Sequence, residues 1–330
     1  MLGGQSPRAI VSERVFDRDG AGGVGEPPTP PPGCTIHLRA SNLGVMTIKR
    51  VGVVGSGIMG GGITEVAALA GHEVILRSRE LATAEGTLAR VERSLDKRVD
   101  KGTLSPEDRV DTAARITVTS NLHDLAECDL VIESVVEDLA TKRHVFSELD
   151  RICRDHTILA TNTSTLPVVE MAMETGRPEK VCGIHFFNPA PLMALIEIVR
   201  PITADDETVQ EAKAFAESCG KTAVMVKDQA GFIVNALLFP YLNNAVRLLE
   251  QGVASLEDID EAMKGGCGFP MGPFALLDLV GLDTSVAILD ALYDEHRDPN
   301  YAAMPRLRRM VAAERLGRKT GEGFYSYSRS

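Results

Sequence analysis

The sequence predicts a doubly wound α/β domain followed by a smaller, all-helical domain. Three observations support this prediction. A β-branched strand runs into a glycine-rich turn and then into a helical pattern. Strand and helix patterns alternate over residues 47–228. After Asp228 the patterns are helical until the chain's end, so we expect the sheet to stop there.

The glycine-rich turn follows the strand Val51–Val54 and reads Gly-Ser-Gly-Ile-Met-Gly. Gly55 suits the turn's backbone angles, Gly57 leaves room for a phosphate, and Gly60 lets the helix pack closely on the strand. The free N–H groups and the positive dipole end of the helix would face a pyrophosphate. The motif therefore predicts a Rossmann-type dinucleotide site, with these cofactor contacts: Gly55, Gly57, Ile58, Met59 and Gly60.

The elements of the first domain, residues 47–228, alternate in type. The predicted strands are Ile48–Val54, Glu73–Arg77, Ile116–Thr119, Leu130–Glu133, Thr157–Thr161, Val181–His185, Leu195–Val199 and Thr222–Val226. The predicted helices are Ile58–Ala70, Leu81–Lys101, Leu139–Cys153 and Ala204–Cys219. Strands separated by helices predict a mostly parallel sheet covered on both faces. The closer spacing of the last strands favours an antiparallel extension.

The second domain, residues 229–330, has a different pattern. Its predicted helices are Phe232–Gln251, Leu256–Gly265, Pro273–His296 and Met304–Arg315. We expect this domain to form one wall of a ligand cleft between the two domains. It is also a candidate dimer interface.

Residues 1–46 differ in composition from the rest. The segment from Gly20 to Gly33 is dense in glycine and proline, which predicts a disordered tail. The tail has no apolar core like that of a signal peptide, and its acidic residues argue against a transit peptide. Met46, just before the first strand, is a candidate for the true start of the protein.

Composition excludes several classes of function. A net charge of −11 argues against a nucleic-acid surface, and no apolar run is long enough to span a membrane. The six cysteines form no C-x-x-C pair and have no metal-like spacing with histidine. We therefore expect reduced thiols, a cytoplasmic location and no metal site.

His185 is the histidine most suited to act as a general base. It ends the apolar strand Val181–His185, at the carboxyl edge where α/β sheets place ligands. The returning strand Leu195–Val199 contains a lone acid, Glu197, which a hairpin-like return would set beside His185. A carboxylate there would orient the imidazole and stabilise its charged form. The alternative is that His185 caps a strand while Glu197 faces solvent.

Several motifs in order make the chain resemble the L-3-hydroxyacyl-CoA dehydrogenase family, which includes bacterial 3-hydroxybutyryl-CoA dehydrogenases. The resemblance covers residues 48–327, that is, both domains. The motifs are Val54–Gly60, Val135–Asp138, Thr161–Ser164, His185–Pro189, Gly231–Asn235, Pro270–Pro273 and Gly321–Tyr325. Each motif alone is weak, but their joint order and spacing are specific.

The resemblance implies hydride transfer between a nicotinamide cofactor and C3 of an L-3-hydroxyacyl-CoA or its 3-keto form. His185 would be the general base and Glu197 its partner. Ser164 would touch the substrate oxygen and the ribose beside the nicotinamide, and Asn235 would help to position the acyl substrate. The family also implies a homodimer.

The resemblance further implies binding residues outside this catalytic group. The family's cofactor contacts correspond to Glu137, Lys142, Asn188 and Lys319, in addition to Ser164. Positions that meet the CoA moiety correspond to Ser94 and Lys101. A lysine suits this role because CoA carries phosphates.

One position departs from the family. After the second strand, an NAD enzyme usually has an acid that binds the ribose 2′-hydroxyl, but this chain has Ser78. Loss of the carboxylate removes repulsion toward a 2′-phosphate, and Arg77 or Arg79 could pair with one. The sequence therefore leaves NAD and NADP both open as cofactors, with a tilt toward NADP. The alternative is that the arginines are solvated and Glu80 serves the ribose.

Two other functions remain open. The same scaffold with the same His–Glu pair could oxidise a free hydroxy acid or sugar acid, although Ser94, Lys101 and the Gly231–Asn235 motif favour a CoA thioester. A non-catalytic nucleotide-binding protein is disfavoured, because His185 and its predicted partners are all present. The sequence does not specify the acyl-chain length or the physiological direction.

Overall fold

The computed structural model describes residues 48–327, so the predicted tail at 1–46 lies outside the described residues. Eight strands form a single sheet within this range. They are β1 (Arg50–Val54), β2 (Glu73–Arg77), β3 (Ile116–Thr119), β4 (Leu130–Glu133), β5 (Ile158–Thr161), β6 (Val181–Phe186), β7 (Leu195–Arg200) and β8 (Thr222–Lys227). All eight strands were predicted, with ends that agree to within two residues.

The strand order is β3-β2-β1-β4-β5-β6-β7-β8. The first six strands are parallel, β7 pairs antiparallel with β6, and β8 pairs parallel with β7. The predicted doubly wound sheet with an antiparallel extension is confirmed. The chain's direction across the sheet reverses between β1 and β4, and in such folds ligands bind outside the carboxyl ends of the strands at this point.

Seven helices that were predicted form with similar bounds, and one predicted helix is in fact two. The helices of the sheet region are α1 (Ile58–Leu69), α2 (Leu81–Asp100), α3 (Pro106–Ala114), α4 (Leu139–Ile152), α5 (Val168–Ala172) and α6 (Asp206–Ser218). The later helices are α7 (Val234–Glu250), α8 (Leu256–Cys267), α9 (Pro273–Val280), α10 (Leu282–His296) and α11 (Pro305–Ala312).

The prediction of one helix over Pro273–His296 is wrong. Gly281 adopts φ +102° and ψ +131°, which is far from helical, and it separates α9 from α10. This backbone conformation is rarely open to other residues, so glycine permits the break. The prediction also missed α3 and the five-residue α5. For α3 a signal was present, since Ser105 caps the helix by accepting the N–H of Asp108.

The sheet is buried on both faces because its strands are apolar at successive positions. On β4, Leu130 and Ile132 pack in one apolar cluster with α1 and α6, whereas Val131 packs in the other with α4 and α5. A third cluster joins α7, α9 and α10. No helix between residues 48 and 327 is both long enough and apolar enough to cross a membrane.

Candidate active site

The glycine turn between β1 and α1 has the geometry that its sequence predicts. Gly55 has φ +119°, and a Cβ atom there would lie 2.2 Å from the carbonyl oxygen of Ser134. A Cβ atom at Gly60 would lie 1.8 Å from the carbonyl oxygen of Gly55. At Gly57, by contrast, no heavy atom beyond the two adjacent residues lies within 4 Å of where a Cβ would be. The backbone therefore packs tightly at Gly55 and Gly60 and leaves space at Gly57, at the N-terminus of α1. A bound pyrophosphate would fit in this space.

The end of β2 presents hydroxyl groups and cations rather than a carboxylate. Ser78 is buried, and its hydroxyl oxygen accepts the hydroxyl of Ser56 in the glycine turn at 2.9 Å. Arg77 donates to the carbonyl of Ser120 at 3.3 Å. Burial, and then the nearby charge of Arg79, lower the pKa of Arg77. Arg79 and Glu80 are both exposed.

His185 and Glu197 face each other across the antiparallel pair β6–β7, in direct register. His185 Nδ1 lies 2.8 Å from Glu197 Oε2, and both side chains are buried. The alternative with Glu197 at a solvent-facing edge is therefore excluded by its burial. Because a carboxylate only accepts hydrogen bonds, Nδ1 donates and Nε2 is left as the ring's proton acceptor.

The second oxygen of Glu197 is held by the helical region. Glu197 Oε1 accepts the backbone N–H groups of Ile233 and Val234, each at 3.0 Å, at the N-terminus of α7. Phe232, just before them, has φ +48°, a left-handed conformation that is uncommon outside glycine. This turn directs two N–H donors at Oε1, while His185 binds Oε2. Both carboxylate oxygens of Glu197 are therefore held by hydrogen bonds.

Two aromatic rings flank the imidazole of His185. The ring centroid of Phe187 lies 4.5 Å away and that of Phe232 lies 5.4 Å away, both tilted. The imidazole is therefore held between the loop after β6 and the segment before α7. Such apolar walls limit water around the base and fix its orientation.

Ser164 lies in the turn after β5, next to the strand of His185. Its backbone N–H and hydroxyl approach Glu137 Oε1 at 3.0 and 3.4 Å, and the hydroxyl of Thr163 donates to the same oxygen at 2.6 Å. Asn162 Oδ1 accepts the N–H of Phe186 at 2.8 Å, which ties this turn to β6. Ser164 and Glu137, which were predicted separately, are thus in direct contact.

Lys142 is not on the surface of α4. Its ammonium group lies 2.7 and 2.9 Å from the two oxygens of Glu133 and 3.3 Å from Glu137 Oε2. Its side chain is 1% exposed. The structure therefore places this predicted cofactor contact in a buried position among carboxylates.

Five further predicted site residues are distributed over four places. Asn235 is buried in the first turn of α7, and Asn188 is exposed in the loop after β6. Lys319 is exposed and pairs with Asp283 at 2.5 Å. Ser94 lies in the second half of α2, and Lys101 is the αR residue that directly follows the helix; the spacing of seven residues puts them on the same side of it.

Sequence reasoning missed several residues of this site. Glu133 ends the apolar strand β4 as a lone acid, the same signal that identified Glu197 on β7. Ser56 was assigned only to the glycine motif, although its hydroxyl reaches Ser78. Phe232 belongs to the Gly231–Asn235 motif, but its contact with His185 and its left-handed backbone cannot be read from the residue type.

Two family models together match most of the chain. Residues 50–229 match the model described as 3-hydroxyacyl-CoA dehydrogenase, NAD binding domain. Residues 231–327 match 3-hydroxyacyl-CoA dehydrogenase, C-terminal domain.

Curated relatives align with the chain over most of its length. The 3-hydroxybutyryl-CoA dehydrogenase of Mycobacterium tuberculosis is 45% identical over 282 residues, which cover 85% of this chain and 99% of that protein. The enzyme of the same name from Clostridioides difficile is 44% identical, over 85% of this chain and all of that protein. The mitochondrial hydroxyacyl-coenzyme A dehydrogenase of Sus scrofa is 42% identical, over 85% of this chain and 91% of that protein.

Solved structures of similar proteins superpose on most of the chain. FadB2 of M. tuberculosis superposes with a TM-score of 0.84 at 44% identity, over 86% of this chain and all of that chain. The (S)-3-hydroxybutyryl-CoA dehydrogenase PaaH1 of Ralstonia eutropha gives a TM-score of 0.84 at 40% identity, with the same coverage. A diketoreductase gives 0.74 at 29% identity, over 86% of this chain and all of that chain.

Proposed function

The chain belongs to the 3-hydroxyacyl-CoA dehydrogenase family, and from this premise we propose that it interconverts an L-3-hydroxyacyl-CoA and a 3-ketoacyl-CoA with a short acyl chain, as in 3-hydroxybutyryl-CoA. The observation that carries the proposal is the buried pair of His185 and Glu197 in register across β6 and β7. A fold alone does not name a reaction, whereas an oriented base at the ligand-binding edge of the sheet supports this one.

The chain's own residues account for the movement of the proton. Nε2 of His185 takes the proton from the 3-hydroxyl group in oxidation, and the resulting imidazolium is stabilised by Glu197 through Nδ1. In the reverse direction the same nitrogen donates a proton to the oxygen at C3. Ser164 and Asn235 are proposed to bind the substrate around that oxygen. The nicotinamide, when bound, supplies the hydride chemistry.

The preferred nicotinamide cofactor is proposed to be NADP. The hydroxyls of Ser56 and Ser78 form a neutral, hydrogen-bonding end to β2, and the charges of Arg77 and Arg79 lie close to each other. A 2′-phosphate would complement two neighbouring guanidinium groups, whereas the usual acid would repel it. Glu80 begins α2 as an exposed residue, and it is the alternative partner for a ribose hydroxyl.

A matrix of cofactors and substrates tests both parts of the proposal. NADH and NADPH are each assayed with acetoacetyl-CoA, with longer 3-ketoacyl-CoAs and with free 3-keto acids. We expect turnover of acetoacetyl-CoA and a higher kcat/KM with NADPH. Turnover of free acids alone would replace the acyl-CoA function by the alternative of a hydroxy-acid dehydrogenase. A strong preference for NADH would remove the cofactor proposal and leave the reaction standing.

The proposed assembly is a homodimer in the cytoplasm. Helix α7 and the residue before it expose large apolar side chains on one face: Leu237, which is 71% exposed, Leu248, and Ile233 at the N-cap. A second copy of the chain would cover this face. Sedimentation velocity should give a dimer for the wild type and a monomer for Leu237→Lys, whereas a monomeric wild type would exclude the assembly.

A further inference from the structure

The β6–β7 loop, residues 187–194, lies beside the proposed general base. Phe187, its first residue, is half-buried, and its ring centroid lies 4.5 Å from that of His185. Further along the loop the side chains reach the surface, since Leu192 is 76% exposed and Met193 is 39% exposed. Apolar packing of these two side chains therefore contributes little to holding the loop in place.

The ammonium group of Lys221 binds this loop through its backbone. It donates to the carbonyl of Met193 at 2.8 Å and to that of Ala190 at 2.9 Å, and it lies 3.4 Å from the carbonyl of Pro191. A lysine ammonium has three N–H donors and no acceptor, so these carbonyls can use all of its donors. Lys221 directly precedes β8, which pairs with β7, so the ammonium reaches the loop from the start of the neighbouring strand.

Helix α1 also contacts this loop. A Cβ atom at Gly62 would lie 3.0 Å from the Cβ of Ala190 and 3.3 Å from the Cδ of Pro191, and Ala190 is buried in the apolar cluster that includes α1. Ala190 thus has both a packed side chain and a bound carbonyl. The exposed Met193, by contrast, is tied to the start of β8 by the carbonyl that Lys221 binds.

We propose that Lys221 is a positioning residue: it holds the carbonyls of the β6–β7 loop, and the loop in turn keeps the ring of Phe187 against the imidazole of His185. The inference rests on the proposed function, because this imidazole is the base of that same site. Small losses of orientation at a reacting group slow a reaction strongly, so a looser loop should slow proton transfer. Since Lys221 acts on His185 through the loop, its effect on turnover should require the ring of Phe187.

The first experiment measures the loop itself by hydrogen exchange and mass spectrometry. The backbone N–H groups of Leu192 and Met193 report on its turn, because both donate to the carbonyl of Pro189, at 2.9 and 3.1 Å. Lys221→Met keeps the length of the side chain and removes its donors, so exchange in this peptide should be about tenfold faster than in the wild type. Lys221→Arg, which retains several N–H donors, should restore most of the protection. Unchanged exchange in Lys221→Met would overturn the inference.

The second experiment is a double-mutant cycle on kcat for the reduction of acetoacetyl-CoA. Lys221→Met and Phe187→Leu should each lower kcat by about tenfold. The double variant should have a kcat no more than about twofold below that of Phe187→Leu alone, because the loop then has no ring to position. Two independent effects would multiply to about a hundredfold, and that result would overturn the inference.

Lys213→Met is the matched control, because Lys213 lies on α6, the helix that precedes Lys221, and pairs at the surface with Glu217. It should leave both the loop's exchange and kcat unchanged. If Lys221→Met fails to fold, Lys221→Gln, which keeps two N–H donors, replaces it in the same cycle, and the same two results decide. A wild type that turns over no acyl-CoA would overturn the proposed function, whereas the exchange comparison would still decide whether Lys221 holds the loop.

Discussion

The carboxyl ends of β6 and β2 both carry predicted site residues, yet they are built differently. At β6, His185 is buried between two rings, and both oxygens of its partner Glu197 accept hydrogen bonds. At β2, the side chain of Ser78 has one hydrogen bond, from the hydroxyl of Ser56, and Arg79 is exposed. Many contacts fix the groups proposed for proton transfer, whereas few contacts fix the groups proposed for cofactor choice. We therefore expect substitutions at the end of β6 to abolish turnover, and substitutions at the end of β2 to change which cofactor is preferred.

The largest expected effect at the β6 end comes from Glu197→Gln. The two N–H groups of α7 require an acceptor at Oε1, so the amide oxygen will occupy that position. The amide NH2 then faces Nδ1 of His185, which must accept, and Nε2 carries the proton and cannot act as a base. We expect kcat to fall by about 10² or more in both directions. If kcat stays within about threefold of the wild type at unchanged NADPH affinity, the fixed orientation of this pair is not required.

Two glycine variants in the turn between β1 and α1 compare a tightly packed position, Gly60, with one that faces free space, Gly57. Gly60→Ala would place a methyl group against the carbonyl of Gly55, and we expect it to cost about 2–3 kcal/mol of unfolding free energy. Gly57→Ala meets open space, so its unfolding free energy should change by less than about 0.5 kcal/mol.

The Gly57 variant nevertheless should bind NADPH about tenfold more weakly, since its methyl group would occupy the space proposed for the pyrophosphate. Chemical denaturation and fluorescence titration measure the two quantities separately. Normal NADPH affinity in Gly57→Ala would place the pyrophosphate elsewhere.

A smaller effect is expected at the end of β2. Ser78→Asp should shift the ratio of kcat/KM for NADPH and NADH toward NADH by about tenfold, through repulsion of the 2′-phosphate. The value of kcat with the better cofactor should stay near that of the wild type. Arg79→Met should weaken the use of NADPH while leaving that of NADH unchanged. An unchanged ratio in both variants would show that this end of the sheet does not select the cofactor.

The fold was largely predictable because its signals are local. Apolar β-branched runs separated by helices specified all eight strands, and the glycine turn specified the β1–α1 joint. The break at Gly281 was missed, since a glycine inside an apolar run resembles a helix interior until its left-handed backbone is seen. The lone acid on an apolar strand identified Glu197, and the same rule applied to β4 would have found Glu133.

The rest of the site depends on contacts that sequence spacing does not show. Lys142 has the spacing of a surface lysine on α4, and only the packing of α4 on β4 brings it to Glu133. The N–H groups of Ile233 and Val234 reach Glu197 from another part of the chain, through the conformation of Phe232. Long-range packing and backbone conformation thus decide which partners Lys142 and Glu197 have.

Proton transfer through His185 is tested most directly by the kcat of His185→Ala for acetoacetyl-CoA reduction, measured together with NADPH affinity on the same preparation. We expect kcat to fall by about 10² or more, because the proton donor is lost, and NADPH affinity to be retained. Turnover within a few-fold of the wild type would contradict the assignment of His185 as the general base.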